Sequence, residues 1–199
     1  MSKELSIRLN SATAAASPAI GLRNAGIVLA GSALAALCAH IALPLFFTPV
    51  PLTLAPFAVL LLGLLLSPRL AAATLLAYLA EGALGLPVFA PSPIFSSGLA
   101  HLLGPTGGYL LAYPFAAMLI SFLWRSAATG GFAAALISAA AGNLVLLACG
   151  ALWLATLMHL SAQSALTLAV LPFLPGDALK IIAAAALASG FHRLRRHKA

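Results

Sequence analysis

The sequence predicts an all-α, polytopic membrane protein with six transmembrane helices. Of its 199 residues, 63% are hydrophobic and only 7% are charged, a balance that would give a water-soluble domain large exposed apolar patches. Proline, glycine and arginine divide the chain into apolar runs, each approaching the roughly 20 residues that cross a hydrocarbon core of about 30 Å. The basic residues fall in alternate connections between these runs. Six such helices leave no room for a separate soluble domain.

Six apolar runs follow one another along the chain. They comprise residues 26–46, 52–66, 70–86, 109–123, 132–155 and 171–189. The second and fourth runs are short, so we expect flanking residues to complete their crossings. The runs define one membrane domain over residues 26–192, between a tail of residues 1–25 and a basic tail of residues 193–199. The first tail lacks the short apolar core and cleavage site of a removable signal peptide.

The distribution of lysine and arginine predicts the orientation in the membrane. Apart from Lys180, these residues occur in the two tails and after the second and fourth runs: Lys3, Arg8, Arg23, Arg69, Arg125, Arg193, Arg195, Arg196 and Lys198. The other three connections, residues 47–51, 87–108 and 156–170, contain none. By the positive-inside rule, both tails are expected in the cytoplasm. The formal charge of +7 then faces anionic lipid, so we expect no nucleic-acid partner.

Polar side chains from several runs fall at a similar depth. A rise of 1.5 Å per residue, counted from the inner end of each run, places Lys180 about 20 Å and Asp177 about 24 Å above that end. The same count places Asn143 and Glu81 at about 18 Å, Tyr109 and Thr53 at about 24 Å, and His40 at about 26 Å. The inner halves of the runs are almost wholly Leu, Ala, Ile and Val. The sequence therefore predicts a cup open to the outside, and not a polar path through both leaflets.

Each polar group also has a structural interpretation. Ionisable residues at membrane depth usually mark a ligand site, which favours ligand contact for Asp177 and Lys180. The alternative is a helix cap, with Asp177 at a helix start and Lys180 paired to it one turn later. For Asn143, contact with a ligand and a hydrogen bond to a neighbouring helix are about equally favoured. We interpret Glu81 as a snorkelling or loop-facing carboxylate, and the histidine and cysteine spacings predict no metal site.

Two further features concern packing and access. The first run carries small residues at intervals of four, a stripe that allows close approach of a partner protein or of a neighbouring helix. This first-run stripe consists of Gly31, Ala35 and Ala39. Residues 87–108 form a long apolar connection rich in glycine and proline. Irregular backbone cannot face lipid unless its polar groups are satisfied, so we expect this connection to fold over the cup as a lid.

Four parts of the sequence carry a family pattern. They are residues 48–54 (TPVPLTL) with 63–69 (GLLLSPR), then 82–90 (GALGLPVFA), 104–110 (GPTGGYL) and 172–180 (PFLPGDALK). In this order they resemble the biotin-binding S components of energy-coupling-factor (ECF) transporters, the BioY family. The resemblance extends from about residue 26 to residue 189. Ala55 departs from the pattern, because the family usually has Gln there.

The resemblance implies both an activity and a site. It implies an S component of the bacterial cytoplasmic membrane that captures biotin from outside and works with a transmembrane coupling protein and a pair of ATPases. It also implies that the Asp-x-x-Lys motif at Asp177 and Lys180, and the Gly-Gly-Tyr motif ending at Tyr109, lie at the vitamin. The first-run stripe would dock the coupling protein.

The chemistry of biotin fits these residues. Its ureido group offers two N–H donors and one oxygen acceptor. Asp177 can accept from the N–H groups, Asn143 can pair with the ring through its donor and acceptor together, and Lys180 meets either the ureido oxygen or the vitamin's carboxylate. Aromatic side chains would cover the apolar ring edges. The expected substrate-binding residues are Asp177, Lys180, Asn143, Tyr109, Phe89 and Thr53.

Other functions remain open from the sequence. The chain lacks a phosphate-cradling Gly-x-x-x-x-Gly-Lys segment, so we expect no cofactor and ATP hydrolysis by partner subunits only. The alternatives are an S component for another vitamin, and a solitary or ion-coupled transporter with Asp177 as proton carrier. An intramembrane enzyme is the least favoured, because no nucleophile, base and orienting group can be identified among His40, His101, His159, Ser96 and Ser97.

Overall fold

The structure is a computed structural model that describes residues 18–91, 98–127 and 131–197. These residues form eight helices and a two-stranded antiparallel hairpin. In chain order the elements are α1 Pro18–His40, β1 Ala42–Leu43, β2 Leu52–Thr53, α2 Ala55–Leu65, α3 Pro68–Ala83, α4 Leu99–Leu102, α5 Gly107–Ser126, α6 Phe132–Leu157, α7 Ala162–Ala169 and α8 Leu174–His197.

The helices confirm a multi-pass membrane protein. Four of the described helices are long and apolar enough to cross a bilayer: Gly21–His40 within α1, Gly107–Ser126, Phe132–Leu157 and Leu174–Leu194 within α8. The second and third predicted runs form α2, of 11 residues, and α3, of 16 residues. At 1.5 Å per residue these two helices measure only about 16 and 24 Å, shorter than a full crossing.

The hairpin replaces helix that the sequence analysis assigned to the first and second runs. Helix α1 ends at His40, and Ala42 and Leu43 then pair with Thr53 and Leu52. Prolines in this stretch lack the N–H that a helix requires, so the chain leaves helical geometry between residues 41 and 54. The predicted bounds 26–46 and 52–66 are therefore wrong at this end of both runs.

Proline and glycine also set the ends of α3. Ser67 has an extended backbone and Pro68 is the first helical residue, a position where the missing proline N–H is not needed. At the other end Gly85 has φ +95°, a left-handed conformation that glycine adopts without steric cost. The turn after α3 directs the chain toward residues 86–91.

The bundle is held by close contacts between small residues and large apolar ones. Helix α5 packs on α3, α2 and α6, α8 packs on α2 and α6, and α1 packs on α3 and α2. A Cβ on Gly63 of α2 would lie 2.9 Å from Ile120 Cβ, and a Cβ on Gly142 of α6 would lie 2.3 Å from Ile120 Cγ1. Glycine at both positions therefore lets α2 and α6 approach the α5 surface around Ile120.

The first-run stripe lies inside this bundle. Ala35 and Ala39 are 0% and 1% exposed, and a Cβ on Gly31 would lie 2.5 Å from Thr74 Cγ2 of α3. Because the chain's own helices cover these residues, a coupling protein cannot reach them in this structure. The prediction that the stripe docks a partner is corrected to packing of α1 against α3 and α2.

A substitution on α1 distinguishes internal packing from a docking surface. Ala35→Trp is expected to lower the yield of folded protein and its unfolding temperature, because overpacking a filled core costs about 1–3 kcal/mol or more. Ala33→Trp is the control, since Ala33 lies on the exposed face of the same helix. Size-exclusion chromatography and thermal unfolding in detergent measure both variants. Equal stability of the two variants would contradict the packing of α1.

Candidate functional site

A cavity lies where the hairpin, α5, α6 and α8 meet. It contains about 610 Å³ of empty space, which includes its open mouth. Most of its surface is aliphatic or aromatic, with a few polar groups on one side. The lining residues are Ala39, Val50, Pro51, Thr53, Ala55, Pro56, Tyr78, Ala90, His101, Thr106, Tyr109, Leu110, Tyr113, Asn143, Leu146, Leu147, Phe173, Asp177 and Lys180.

Three buried polar side chains form one cluster in the cavity wall. Lys180 Nζ lies 3.0 Å from Asp177 Oδ1, and Asn143 Nδ2 donates to Asp177 Oδ2 over 3.1 Å. All three residues are less than 10% exposed. Asp177 lies in the first turn of α8, where the helix dipole favours a negative charge, and Lys180 follows on the same face. The cluster carries one positive and one negative charge and is neutral overall.

Asn143 leaves one acceptor unused. Its Nδ2 faces a carboxylate oxygen that can only accept, which fixes the orientation of the amide. The other amide atom, Oδ1, is buried and has no hydrogen-bond partner within the described residues. A buried carbonyl without a donor costs about 1–3 kcal/mol. Because Asn143 also lines the cavity, this acceptor is a candidate partner for a ligand that carries an N–H or O–H group.

Tyr109 is held in the cavity wall by two features. Its hydroxyl donates to the carbonyl oxygen of Ala169 at the end of α7. A Cβ on Gly150 of α6 would lie 2.2 Å from the Tyr109 ring, so the ring packs flat over a position that only glycine can occupy. The Tyr109 and Phe173 ring centroids are 6.1 Å apart. Together these two rings form a rigid apolar surface beside the Asp177 cluster.

The glycines before Tyr109 set its position. A Cβ on Gly107 would lie 2.0 Å from the Leu102 carbonyl oxygen. A Cβ on Gly108 would lie 2.2 Å from Trp153 Cβ and 2.6 Å from the Cys149 carbonyl oxygen. Both positions require glycine for the start of α5 to approach α6. The Gly-Gly-Tyr sequence thus brings Tyr109 to the cavity wall.

Phe89 lies one layer behind the wall. It is 5% exposed and does not line the cavity. Its ring packs edge-on against Tyr78, with centroids 5.4 Å apart, and stacks on His101 at 5.1 Å. Tyr78 and His101 do line the cavity. The predicted direct contact of Phe89 with a ligand is therefore corrected to support of two wall residues, since its ring is enclosed by them.

The hairpin brings Thr53 into the wall. Thr53 pairs with Ala42 in the hairpin and lines the cavity together with Val50 and Pro51. Thr48 Oγ1 donates to the Leu168 carbonyl oxygen over 2.8 Å, which ties the connection between the strands to α7. The structure thus places Thr53, Tyr109, Asn143, Asp177 and Lys180 around one cavity, as the depth count predicts.

The predicted lid contributes to the cavity through its two ends. Residues 92–97, its middle, lie outside the described residues. Ala90 on one side, and His101 and Thr106 on the other, line the cavity. Trp153 Nε1 donates to the Gly104 carbonyl oxygen over 2.9 Å, anchoring the second end to α6. Residues 87–91 and 98–108 therefore form part of the wall.

Other polar residues lie away from the cluster. Glu81 accepts a hydrogen bond from the fully buried Ser32 hydroxyl, so it joins α1 to α3 and does not snorkel or face the loop as interpreted from the sequence. His40 Nδ1 contacts the Ala36 carbonyl oxygen at 2.8 Å. In the described part of the chain, no group of three metal-ligating side chains occurs.

Several wall residues were not predicted from the sequence. Tyr113 follows Tyr109 by one helical turn, and Leu146 and Leu147 follow Asn143 by about one turn. This i, i+4 spacing places them on the same helix face as the predicted site residues, a signal that was present in the sequence. Tyr78 had no comparable signal, because its role depends on the packing of α3 against α5.

Comparisons with known proteins agree with one another. A family model described as the BioY family matches residues 8–197. The chain is 41% identical over 140 residues to a probable biotin transporter of Pyrococcus horikoshii, covering 70% of this chain and 79% of that protein. It is 34% identical over 163 residues to a biotin transporter of Thermotoga maritima, covering 82% and 92%.

One solved structure has a similar fold. It is the S component for biotin from an ECF-type ABC transporter, with a TM-score of 0.77 and 27% sequence identity. The match covers 88% of this chain and 92% of that chain. The likeness therefore extends over most of both chains.

Proposed function

The chain belongs to the BioY family, and we propose that it captures biotin in the cavity around Asp177 as the S component of an ECF transporter. Like its relatives, it is a transport protein and not an enzyme. The observation that carries the choice of site is the unpaired Asn143 Oδ1 beside the neutral Asp177–Lys180 pair, within an otherwise apolar cavity.

The ureido ring of biotin matches this cluster. One ureido N–H donates to Asn143 Oδ1, and the other lies toward the Asp177 carboxylate, which retains acceptor capacity beyond its bonds to Lys180 and Asn143. Lys180 Nζ has three hydrogens and uses one toward Asp177, so another can reach the ureido oxygen. A ring with two donors and one acceptor thereby meets complementary groups on one side of the cavity.

The charge of the wall indicates where the vitamin's carboxylate lies. Lys180 is the one lysine or arginine among the described lining residues, and Asp177 neutralises it. An anionic carboxylate placed deep in the cavity would lose hydration without gaining a counter-ion. The valeryl chain therefore runs along the apolar surface of Val50, Leu147 and Phe173, with its carboxylate toward water.

The membrane arrangement follows from the basic residues. Arg23 near the start of α1, Arg69 near the start of α3, and Arg125 near the end of α5 belong to the helix ends opposite the cavity. The positive-inside rule favours that end in the cytoplasm, with the cavity facing outward and both termini inside. Short helices α2 and α3 complete six crossings together with their flanks. The bacterial cytoplasmic membrane is the expected location.

Transport requires partners in this proposal. The sequence contains no phosphate-binding Gly-x-x-x-x-Gly-Lys segment, so a pair of ATPases supplies ATP hydrolysis through a transmembrane coupling protein. The coupling protein contacts a surface other than the buried Gly31, Ala35 and Ala39. The chain itself needs no cofactor, because binding and release of biotin involve no change of covalent bonds.

The proposed function is tested on the purified chain. Mass spectrometry of small molecules retained after purification, followed by titration of biotin, is expected to find biotin bound at one molecule per chain. Retention of a different vitamin would identify another S component. Uptake in cells that is abolished by dissipating the proton gradient with ATP intact would instead favour a secondary transporter.

A substitution at Asn143 tests the ureido contact. Asn143→Leu is expected to weaken biotin binding about tenfold or more, because a ureido N–H then lacks its buried acceptor. Leu152→Ala, on the exposed face of α6, is the matched control and is expected to keep wild-type affinity. A biotin analogue methylated at both ureido nitrogens should bind the wild type and the Asn143 variant equally weakly. If the variant binds biotin as tightly as wild type does, the ureido contact is wrong.

A further inference from the structure

A second cavity lies at the opposite end of the bundle from the biotin site. It is a groove between the first turns of α1 and the connection from α2 to α3, with about 1290 Å³ of empty space that is open on one side. Its lining combines arginines and small polar residues with an apolar floor. The residues are Arg23, Asn24, Ile27, Leu65, Leu66, Ser67, Arg69, Leu70 and Ala73.

The two arginines of this groove have no partner among the residues that the structure describes. Neither Arg23 nor Arg69 forms a hydrogen bond or ion pair with another residue in the part of the chain that the structure describes. The two described carboxylates, Glu81 and Asp177, are engaged elsewhere by Ser32 and by Lys180 with Asn143. Asp177 lines the cavity at the other end, and Glu81 lies twelve residues along α3 from Arg69, about 18 Å at helical rise.

Polar groups beside the arginines add donors. Ser67 precedes α3 and its side chain makes no capping bond to that helix, so its hydroxyl is available to the groove. The positive end of the α3 dipole lies at the same place, since Pro68 begins the helix. Asn24 lies on α1 beside Arg23. The mouth of the groove is therefore a positive, donor-rich surface without a matching acid among the described residues.

The floor of the groove identifies the class of ligand. Ile27, Leu65, Leu66 and Leu70 present aliphatic surface directly beside the arginines. A small soluble anion would pair with the arginines but would leave the aliphatic floor exposed to water. We propose that the groove binds an anionic phospholipid, with its phosphate on Arg23 and Arg69 and the upper part of one acyl chain along the floor. The site lies at the level where the apolar window of α1 begins, at Gly21.

The apolar floor favours a lipid over an acidic protein segment. The floor continues to Ala73, one turn above Arg69 and toward the membrane interior, where an acyl chain can follow but a soluble acidic segment cannot. Each lysine or arginine near a membrane surface contributes about 1 kcal/mol to the attraction of anionic lipid. In the orientation proposed above, this groove lies at the inner leaflet, where anionic lipids are available to it.

Native mass spectrometry of the purified chain tests this site. The protein is titrated in detergent micelles with phosphatidylglycerol or with phosphatidylcholine of the same acyl chains. Wild type is expected to retain phosphatidylglycerol preferentially, with single variants Arg23→Gln and Arg69→Gln weakening its binding about fivefold and the double variant about thirtyfold. Arg193→Gln is the matched control, since it removes one exposed arginine that does not line the groove. Ala73→Trp should block the floor without changing charge.

The outcomes decide the proposal in either direction. Selective loss in the groove variants, with biotin binding unchanged, supports the lipid site and shows that the variants are folded. Equal retention of the two lipids by wild type would overturn the proposal. An equal loss of phosphatidylglycerol in Arg193→Gln would also overturn it, because it would indicate a diffuse electrostatic attraction and not a site. Unchanged lipid retention in the double variant, together with lost assembly with partner subunits, would assign the arginines to a protein contact instead.

Discussion

Lys180→Met is expected to weaken biotin binding by about ten- to a hundredfold and to destabilise the fold. The substitution removes the donor to the ureido oxygen, and it leaves Asp177 as a buried carboxylate without its counter-ion, 3.0 Å away in the wild type. A hydrogen bond from a charged donor contributes about 1.5–3 kcal/mol, which corresponds to about ten- to a hundredfold in affinity. The unpaired carboxylate costs about 3–5 kcal/mol in the free and the bound protein alike, so it lowers the stability of the fold. Titration of labelled biotin into the purified variant, beside its thermal unfolding curve, measures both effects.

A double variant separates binding from folding. Asp177→Asn with Lys180→Met removes both charges together, so no unpaired charge remains in the bundle. This variant is expected to unfold near the wild-type temperature and still to bind biotin at least tenfold more weakly than wild type. Wild-type affinity in the folded double variant would remove the charged cluster from the site.

Gly108→Ala is expected to destabilise the bundle by about 3 kcal/mol and to abolish measurable biotin binding. The added Cβ would lie 2.2 Å from Trp153 Cβ and 2.6 Å from the Cys149 carbonyl oxygen, neither of which can move without moving α6. Displacement of α5 would also break the Tyr109 hydrogen bond to Ala169. Thermal unfolding and biotin titration in detergent give the two readouts.

Gly190→Ala is the control for this substitution. Gly190 lies within α8, and a Cβ there would meet nothing within 4 Å. Alanine is favoured over glycine in a helix interior by about 0.5–1 kcal/mol, so this variant should be as stable as the wild type or slightly more stable. Equal effects of the two substitutions would contradict the close approach of α5 to α6.

The sequence could predict which residues meet because helical rise converts position into depth. Asp177, Lys180, Asn143, Tyr109 and Thr53 come from α8, α6, α5 and the hairpin, and all of them line one cavity. Depth does not give the direction in which a helix face points. That direction comes from packing between helices, which the periodicity of an almost uniformly apolar helix does not reveal.

Two corrections follow from this limit. Ala35 has the right size and spacing for a docking stripe, yet α1 turns it toward α3 and α2, where it is 0% exposed. Phe89 lies in the predicted lid and is apolar and aromatic, yet its ring packs against Tyr78 and His101 and does not line the cavity. The hairpin was missed for another reason, since prolines ended helix α1 before its apolar run ended.

The structure of the chain with biotin bound tests the account most directly. We expect the ureido ring within hydrogen-bond distance of Asn143 Oδ1 and Lys180 Nζ, the fused rings against Tyr109 and Phe173, and the carboxylate at the mouth of the cavity. Biotin bound with its carboxylate on Lys180, or at a place that Asn143 does not reach, would contradict it.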